Sequence, residues 1–276
     1  MRGPIWSSGG PAHPILAVAL HDGQLLHPDL LPLLALDEDE RRREEDPYTG
    51  AFARAAPSWL AVRRSRFEVD MNRPRERCVY LDSSDAWDRH VWIAPPAAWQ
   101  LARARAQYDA FYDELYRRLR ALERRYGRFV VYDVHSYNHR RDGPLAAPEP
   151  PELNPEVNLG TGSLDRDRWA RVVERFVAEV RRSRHFDRAL DVRENVRFQG
   201  GHLARWVHAT FPSSGCVLAI EIKKFFMDEW TGRAFPGSVP RVRALLASTL
   251  PGVRAALLGE PTAVARTARS LEGGLR

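Results

Sequence analysis

Three short, strongly apolar runs, each leading straight into polar residues, limit the folds open to this chain more than any other feature. They are Ile15–Leu20 (ILAVAL), ending at His21-Asp22-Gly23; Phe129–Val134 (FVVYDV), running into His135-Ser136; and Cys216–Ile222 (CVLAIEI), with Glu221 inside it. Runs this short and this apolar read as strands buried on both faces. Between them the periodicity becomes helical. Ala97–Tyr126 puts Leu101, Tyr108, Phe111, Tyr112, Leu115, Leu119 and Leu122 on one face and stops at Gly127, and Asp165–Arg184 does the same with Trp169, Val172, Val173, Phe176, Val177 and Val180. Val239–Leu258 reads as a terminal helix interrupted near Pro251. Two weaker strand candidates are Arg66–Met71 (RFEVDM), stopped by Asn72-Arg73-Pro74, and Ala189–Val192. Strands alternating with helices of this length predict an α/β fold: a single domain over residues 1–276, with a mixed, mostly parallel sheet covered by helices on both faces.

Composition narrows the class. Of 276 residues, 44% are hydrophobic and 28% charged, which excludes wholesale disorder. No run approaches the roughly 18 apolar residues of a membrane span, and MRGPIWSSGGPAHP has no apolar core for a secretory signal. Cys78 and Cys216 are too few for a disulfide framework or a cysteine-rich zinc site. These features lead to the expectation of a cytoplasmic enzyme. The net charge is +6, and Lys223 and Lys224 are the only lysines, so almost all positive charge is arginine. The arginines are mixed with acids along helix faces, as in DELYRRLRALERRYGR, and no basic groove with aromatic platforms stands out. A small-molecule substrate is expected, with neither nucleic acid nor membrane as partner. Asp37–Gly50 is densely charged and turn-rich, and the Pro-rich stretch Pro144–Pro155 is too long for a tight turn and is expected to lie over another part of the protein.

In open α/β sheets, ligands bind beyond the carboxyl ends of the strands. His21, His135 and Glu221 all belong there. A lone histidine after a strand is as readily a hydrogen-bonded loop residue as a ligand, and Glu221 could pair with Lys223, its same-face neighbour two residues on. An unpaired buried carboxylate costs several kcal/mol, however. Together the residues match a zinc hydrolase, in which three histidine or carboxylate ligands leave one position open for water and a nearby carboxylate moves the proton.

Seven segments occur in the order found in the N-formylglutamate amidohydrolase family, a branch of the zinc carboxypeptidase and aspartoacylase fold, which this chain resembles over roughly Leu16 to Trp230. They are LHDG at Leu20–Gly23, REEDPYT at Arg43–Thr49, VDMNRPRERC at Val69–Cys78, DVHSYN at Asp133–Asn138, VNLGTG at Val157–Gly162, GGHLARWVH at Gly200–His208 and AIEIKKFFMDE at Ala219–Glu229. The resemblance implies a Zn2+ enzyme that cleaves a small N-acyl amino acid, with N-formylglutamate favoured and formate and glutamate as products. It implies His21 and His135 as metal ligands. The related carboxypeptidases carry their acidic ligand three residues after the first histidine. That position is Gln24 here, so the substitute is sought in the Glu44–Asp46 run, with Asp46 favoured and Glu45 next.

By the same resemblance Glu221 is the general base, and Asn72-Arg73 grips the substrate carboxylate. Arg66 is the candidate for the oxyanion, with Arg63, Arg64 and Arg75 as competitors. Asn158, Thr161 and His202 fall in loops expected to line the substrate pocket, and Ser136 lacks the setting of a nucleophile elbow. Two rival functions remain: a carboxypeptidase or other deacylase on the same fold, and a binding protein that has lost its metal.

Overall fold

A computed structural model describes residues 4–259. Its strands are β1 (Trp6–Gly9), β2 (Ile15–Ala19), β3 (Ser58–Val62), β4 (Phe129–Tyr137), β5 (Val157–Gly160), β6 (Val192–Glu194) and β7 (Gly215–Lys223). Its helices are α1 (Glu38–Glu44), α2 (Thr49–Ala53), α3 (Ala98–Tyr126), α4 (Arg166–Arg182), α5 (His202–Thr210) and α6 (Ser238–Leu258). The strands form one sheet in the order β1-β3-β2-β4-β7-β5-β6. The centre, β3-β2-β4-β7, is parallel, while β1 and β5 join antiparallel and β6 runs parallel to β5. The expected mixed, mostly parallel α/β sheet is present.

Strand alternation sends the two faces into separate cores. Ile15, Ala17, Val130, Tyr132, Leu218 and Ile220 pack under α2, α4 and α6. Leu16, Val18, Phe129, Val131 and Val217 pack under α3 and α5. The long helix α3 ends at Gly127, whose φ of 74° is easy only for glycine.

Several expected elements differ. Arg66–Met71 is a turn rather than a strand, because Glu68 and Asp70 are as buried as Phe67 and Val69 and are held by side-chain partners instead of a ladder. The charged run at Asp37 contains α1, started by a reciprocal capping box between Asp37 and Glu40. The short strand near Ala189 begins only at Val192. Strand β4 continues through His135 and Ser136, and Val157–Gly160 is a strand rather than a loop. Pro251 does not break α6. Its ring lies on the exposed side, while Leu245, Leu246, Leu250, Val253 and Leu257 are buried on the other, and that packing outweighs a proline cost of about 3 kcal/mol.

Candidate active site

At the carboxyl-end side of β2 and β4, one ligand atom each from His21, Asp46 and His135 comes within 4.8 Å of the others. All three residues are buried. His21 follows β2 after one residue, Leu20. His135 lies on β4 opposite Glu221 of β7 in parallel register, which puts both side chains on one face of the sheet. Asp46 arrives from the turn after α1, and its backbone N–H donates to the carbonyl of His21 at 2.9 Å. Asp46 Oδ2 stands 3.0 Å from His135 Nδ1 and 3.4 Å from His21 Nδ1.

The far nitrogens are taken by carboxylates. His21 Nε2 donates to Asp70 Oδ1 at 2.7 Å, and His135 Nε2 donates to Asp133 Oδ1 at 2.9 Å. Asp133 can do this because residues two apart on a strand share a face. Asp70 is fixed in turn by Tyr80 and by Arg66 Nη2 at 3.1 Å. With each proton placed on Nε2, two Nδ1 lone pairs and a carboxylate face one another, the arrangement of a carboxylate–histidine–metal centre. Ligands on one tetrahedral ion with bonds of about 2.0–2.1 Å lie about 3.4 Å apart, close to the two Asp46–histidine separations. Two imidazoles and one carboxylate therefore fit a divalent ion such as zinc. When the imidazoles instead carry protons on both nitrogens, burial acts to raise the pKa of the Asp46 carboxyl, but hydrogen bonds from His135 and His21 hold it far below the usual carboxylate range. Burial acts to lower the pKa of His135, yet Asp133 and Asp46 hold it well above the ordinary value.

The triad opens into a cleft of about 520 Å³. Glu221 lines it, and burial pushes its carboxyl up to about 7, opposed in part by His135. Lys223 does not neutralise Glu221, because its Nζ donates to the Asn154 carbonyl at 2.9 Å. Of the four arginines weighed for the oxyanion, Arg66 alone lines the cleft. Arg63 is bound to Pro4, Arg64 to Glu68 and Arg75 to Asp109. Arg66 itself is fixed by Tyr80, by the Glu44 carbonyl at 3.2 Å and by Asp70. Asn72 and Arg73 also line the cleft. Asn72 carries a second task, since its Oδ1 accepts the Leu203 N–H of α5 at 3.0 Å.

Other expected residues stay out of the cleft. Glu45 accepts from Ser65 and faces Arg41 at 3.6 Å, away from the triad. Gln24 accepts from Arg42 at 3.4 Å. Asn158 is buried behind the wall, where its Oδ1 accepts the Arg197 N–H at 2.8 Å and its Nδ2 donates to the Phe198 carbonyl at 2.8 Å. It thereby pins the loop that forms one side of the cleft. Thr161 bonds Glu194 and Asn195, and His202 meets the Tyr108 hydroxyl at 2.9 Å. The Pro-rich stretch reaches the rim through Glu149 and Asn154, which both accept from Arg197.

Sequence reasoning passed over Asp70, Asp133 and most of the cleft's cations. The Asp-x-His spacing was a usable signal for Asp133, whereas nothing local ties Asp70 to a histidine 49 residues away. Arg43, Arg141, Arg197, Arg205 and Lys224 all line the cleft and give it a strongly positive character.

Similarity to known proteins agrees with this geometry. A structure of N-formylglutamate amidohydrolase from Ralstonia eutropha JMP134 superposes with a TM-score of 0.70 at 19% identity, covering 98% of this chain and 99% of that one. A gene product of Agrobacterium tumefaciens gives 0.62 at 20% identity, covering 90% and 95%. Both likenesses concern the fold. No curated protein matches this chain. The family model for N-formylglutamate amidohydrolase matches residues 13–227, a span that contains the triad, Glu221 and Asn72-Arg73. The chain belongs to the N-formylglutamate amidohydrolase family.

Proposed function

We propose that this protein is a zinc-dependent amidohydrolase that cleaves a small N-acyl amino acid, with N-formylglutamate favoured, to formate and glutamate. The observation that carries this reading is the convergence of His21, Asp46 and His135 beside Glu221 in an arginine-lined cleft. His21, Asp46 and His135 would hold the zinc ion, which would supply Lewis acidity to the scissile carbonyl and to a water molecule. Asp70 and Asp133 hold the two imidazoles by Nε2, which keeps the Nδ1 lone pairs turned inward. The Glu221 carboxylate takes a proton from the attacking water and returns it to the amide nitrogen as the C–N bond breaks. A carboxyl that titrates near 7 suits both halves of that transfer. Arg66, held rigid by its three partners, meets the developing oxyanion without reorganising. Arg73 with the Asn72 amide orients the substrate carboxylate. Asn158, Thr161 and His202 act behind the cleft, as supports of its walls.

The test is metal analysis and turnover on wild type and Glu221→Gln. Both are expected to carry about one equivalent of zinc, and the variant to lose about 10²–10⁴ in kcat. Chelation should abolish wild-type hydrolysis of N-formylglutamate and zinc should restore it. Zinc below about a tenth of an equivalent, or turnover insensitive to chelator, would overturn the assignment and favour a metal-free binding protein.

A further inference from the structure

Of the 42 lysines and arginines only Lys223 and Lys224 are lysines, and they stand together at the end of β7, just past Glu221. Both side chains end on backbone carbonyls. Lys223 Nζ donates to the Asn154 carbonyl in the Pro-rich stretch at 2.9 Å. Lys224 Nζ donates to the carbonyls of Arg43 and Glu45 at 2.6 and 2.9 Å, and the residue is only 1% exposed. Burying an ammonium is costly, so one committed to two carbonyls points to a stretch of backbone whose position matters.

We propose that Lys224 is a positioning residue of the metal centre: by holding the carbonyls on either side of Glu44, it fixes the turn that presents Asp46 to His21 and His135. The inference rests on the zinc reading of that triad and adds a residue that acts through Asp46. His135 is set in the ladder between β4 and β7, but Asp46 has no strand to hold it. It follows a seven-residue helix that ends at Glu44 and turns extended at Glu45. The last carbonyls of a helix have no partner within it, and here side chains supply the donors. Asn138 Nδ2 reaches the Arg43 carbonyl at 2.9 Å, and Arg66 Nη1 reaches that of Glu44 at 3.2 Å. Lys224 alone among them bonds two carbonyls of the turn. Its own backbone N–H donates to the Tyr137 carbonyl at the end of β4 at 3.0 Å. One residue thus spans from the strands that carry His135 and Glu221 to the turn that carries Asp46.

The choice of lysine in an arginine-rich chain has a steric reason. An ammonium is compact and aims its donors in separate directions, whereas a guanidinium is planar and presents them in a fixed fork. A closed space that fits the first is overpacked by the second. Burial lowers the Lys224 pKa, and the carboxylates of Asp46, Glu44 and Glu229 oppose that loss of charge.

The test measures zinc affinity by chelator competition, the melting temperature of metal-free protein, and KM for N-formylglutamate at saturating zinc. It uses wild type, Lys224→Met, Lys224→Gln and, as a control, Lys223→Met, which removes the neighbouring carbonyl tie. Lys224→Met is expected to bind zinc about 10–100-fold more weakly, as for loss of a group that orients a ligand. Its KM at saturating zinc should stay within about threefold of wild type. Lys223→Met should leave zinc affinity within about twofold of wild type. Lys224→Gln is expected to weaken zinc binding in the same direction and carries the test if Lys224→Met does not fold. A merely structural Lys224 would lower the metal-free melting temperature and leave the zinc affinity of the folded variant unchanged, which overturns the proposal. Unchanged zinc affinity with a KM raised about tenfold or more also overturns it, by making Lys224 a substrate contact. Equal weakening in Lys223→Met overturns it as well. The two readings fail separately. Turnover with zinc affinity unchanged in the Lys224 variants removes the positioning role and leaves the hydrolase. Zinc binding that those variants weaken, without turnover in wild type, leaves the positioning role and removes the hydrolase, and wild type that binds no zinc removes both.

Discussion

Glu44, Glu45 and Asp46 are three consecutive acids with three different partners. Glu44 faces Arg89 at 3.6 Å, Glu45 accepts from Ser65, and Asp46 sits between two imidazoles. Helix α1 ends at Glu44 and the backbone turns extended at Glu45, so successive side chains leave in different directions. Burial pushes the Glu45 carboxyl up to about 7, against the Ser65 hydrogen bond and Arg41. A folded pKa above the unfolded value of 4.5 means that the stabilising contribution is present in full below about 4.5 and is lost as pH rises through about 7. Glu45→Gln mimics the neutral acid. Its stability relative to wild type should therefore grow between pH 5 and pH 8, by on the order of 2 kcal/mol in urea unfolding of metal-free protein. A difference that stays flat with pH would show that Glu45 is already ionised throughout. From sequence, the run could be named as the source of the acidic ligand with Asp46 favoured and Glu45 next, but which of the acids faces the imidazoles depends on where one helix ends.

Among elements, α5 shows how the site and the fold share parts. Its N-cap, Gly201, has no side chain, and the cap comes from Asn72, which bonds the Leu203 N–H by Oδ1 and the His202 N–H by its carbonyl at 3.4 Å. Asn72 also places its amide 3.4 Å from His135 Nε2 and donates its backbone N–H to Asp70 at 2.7 Å. A Cβ at position 201 would fall 2.3 Å from the Asn72 amide. Gly201→Ala should thus push Asn72 aside, cost about 1 kcal/mol for the lost cap and lower the melting temperature by several degrees. Zinc affinity by chelator competition should weaken with it. An unchanged melting temperature would separate the cap from Gly201. Sequence patterning identified β2, β4, β7, α3 and α4, where periodicity is strong. It missed β1 and β3, which are four- and five-residue strands defined by their neighbours in the sheet. It read Arg66–Met71 as a strand because alternation looks the same when both faces are buried.

For the molecule as a whole, the net charge of +6 and the cationic cleft act together. Field lines focused by such a cleft raise the encounter rate with anions, and salt screens them over about 10 Å at 0.1 M. The kcat/KM for N-formylglutamate should fall several-fold between about 0.05 and 0.5 M NaCl while kcat changes little. A kcat/KM that does not respond to salt would mean that the cleft's charge is neutralised within the protein. Among the described residues no helix is long and apolar enough to cross a membrane.

The amino-acid order by itself determined the fold class, the strand ends where chemistry could lie, and the two histidines and short acidic run that the structure gathers. These follow from local periodicity and from residue chemistry, which a linear pattern carries. Only the tertiary structure decided which acid faces the imidazoles, that Asp70 and Asp133 orient them, and that scattered arginines become one cleft wall. Those outcomes depend on which distant segments the sheet order brings side by side, and no spacing along the chain encodes a distance across it.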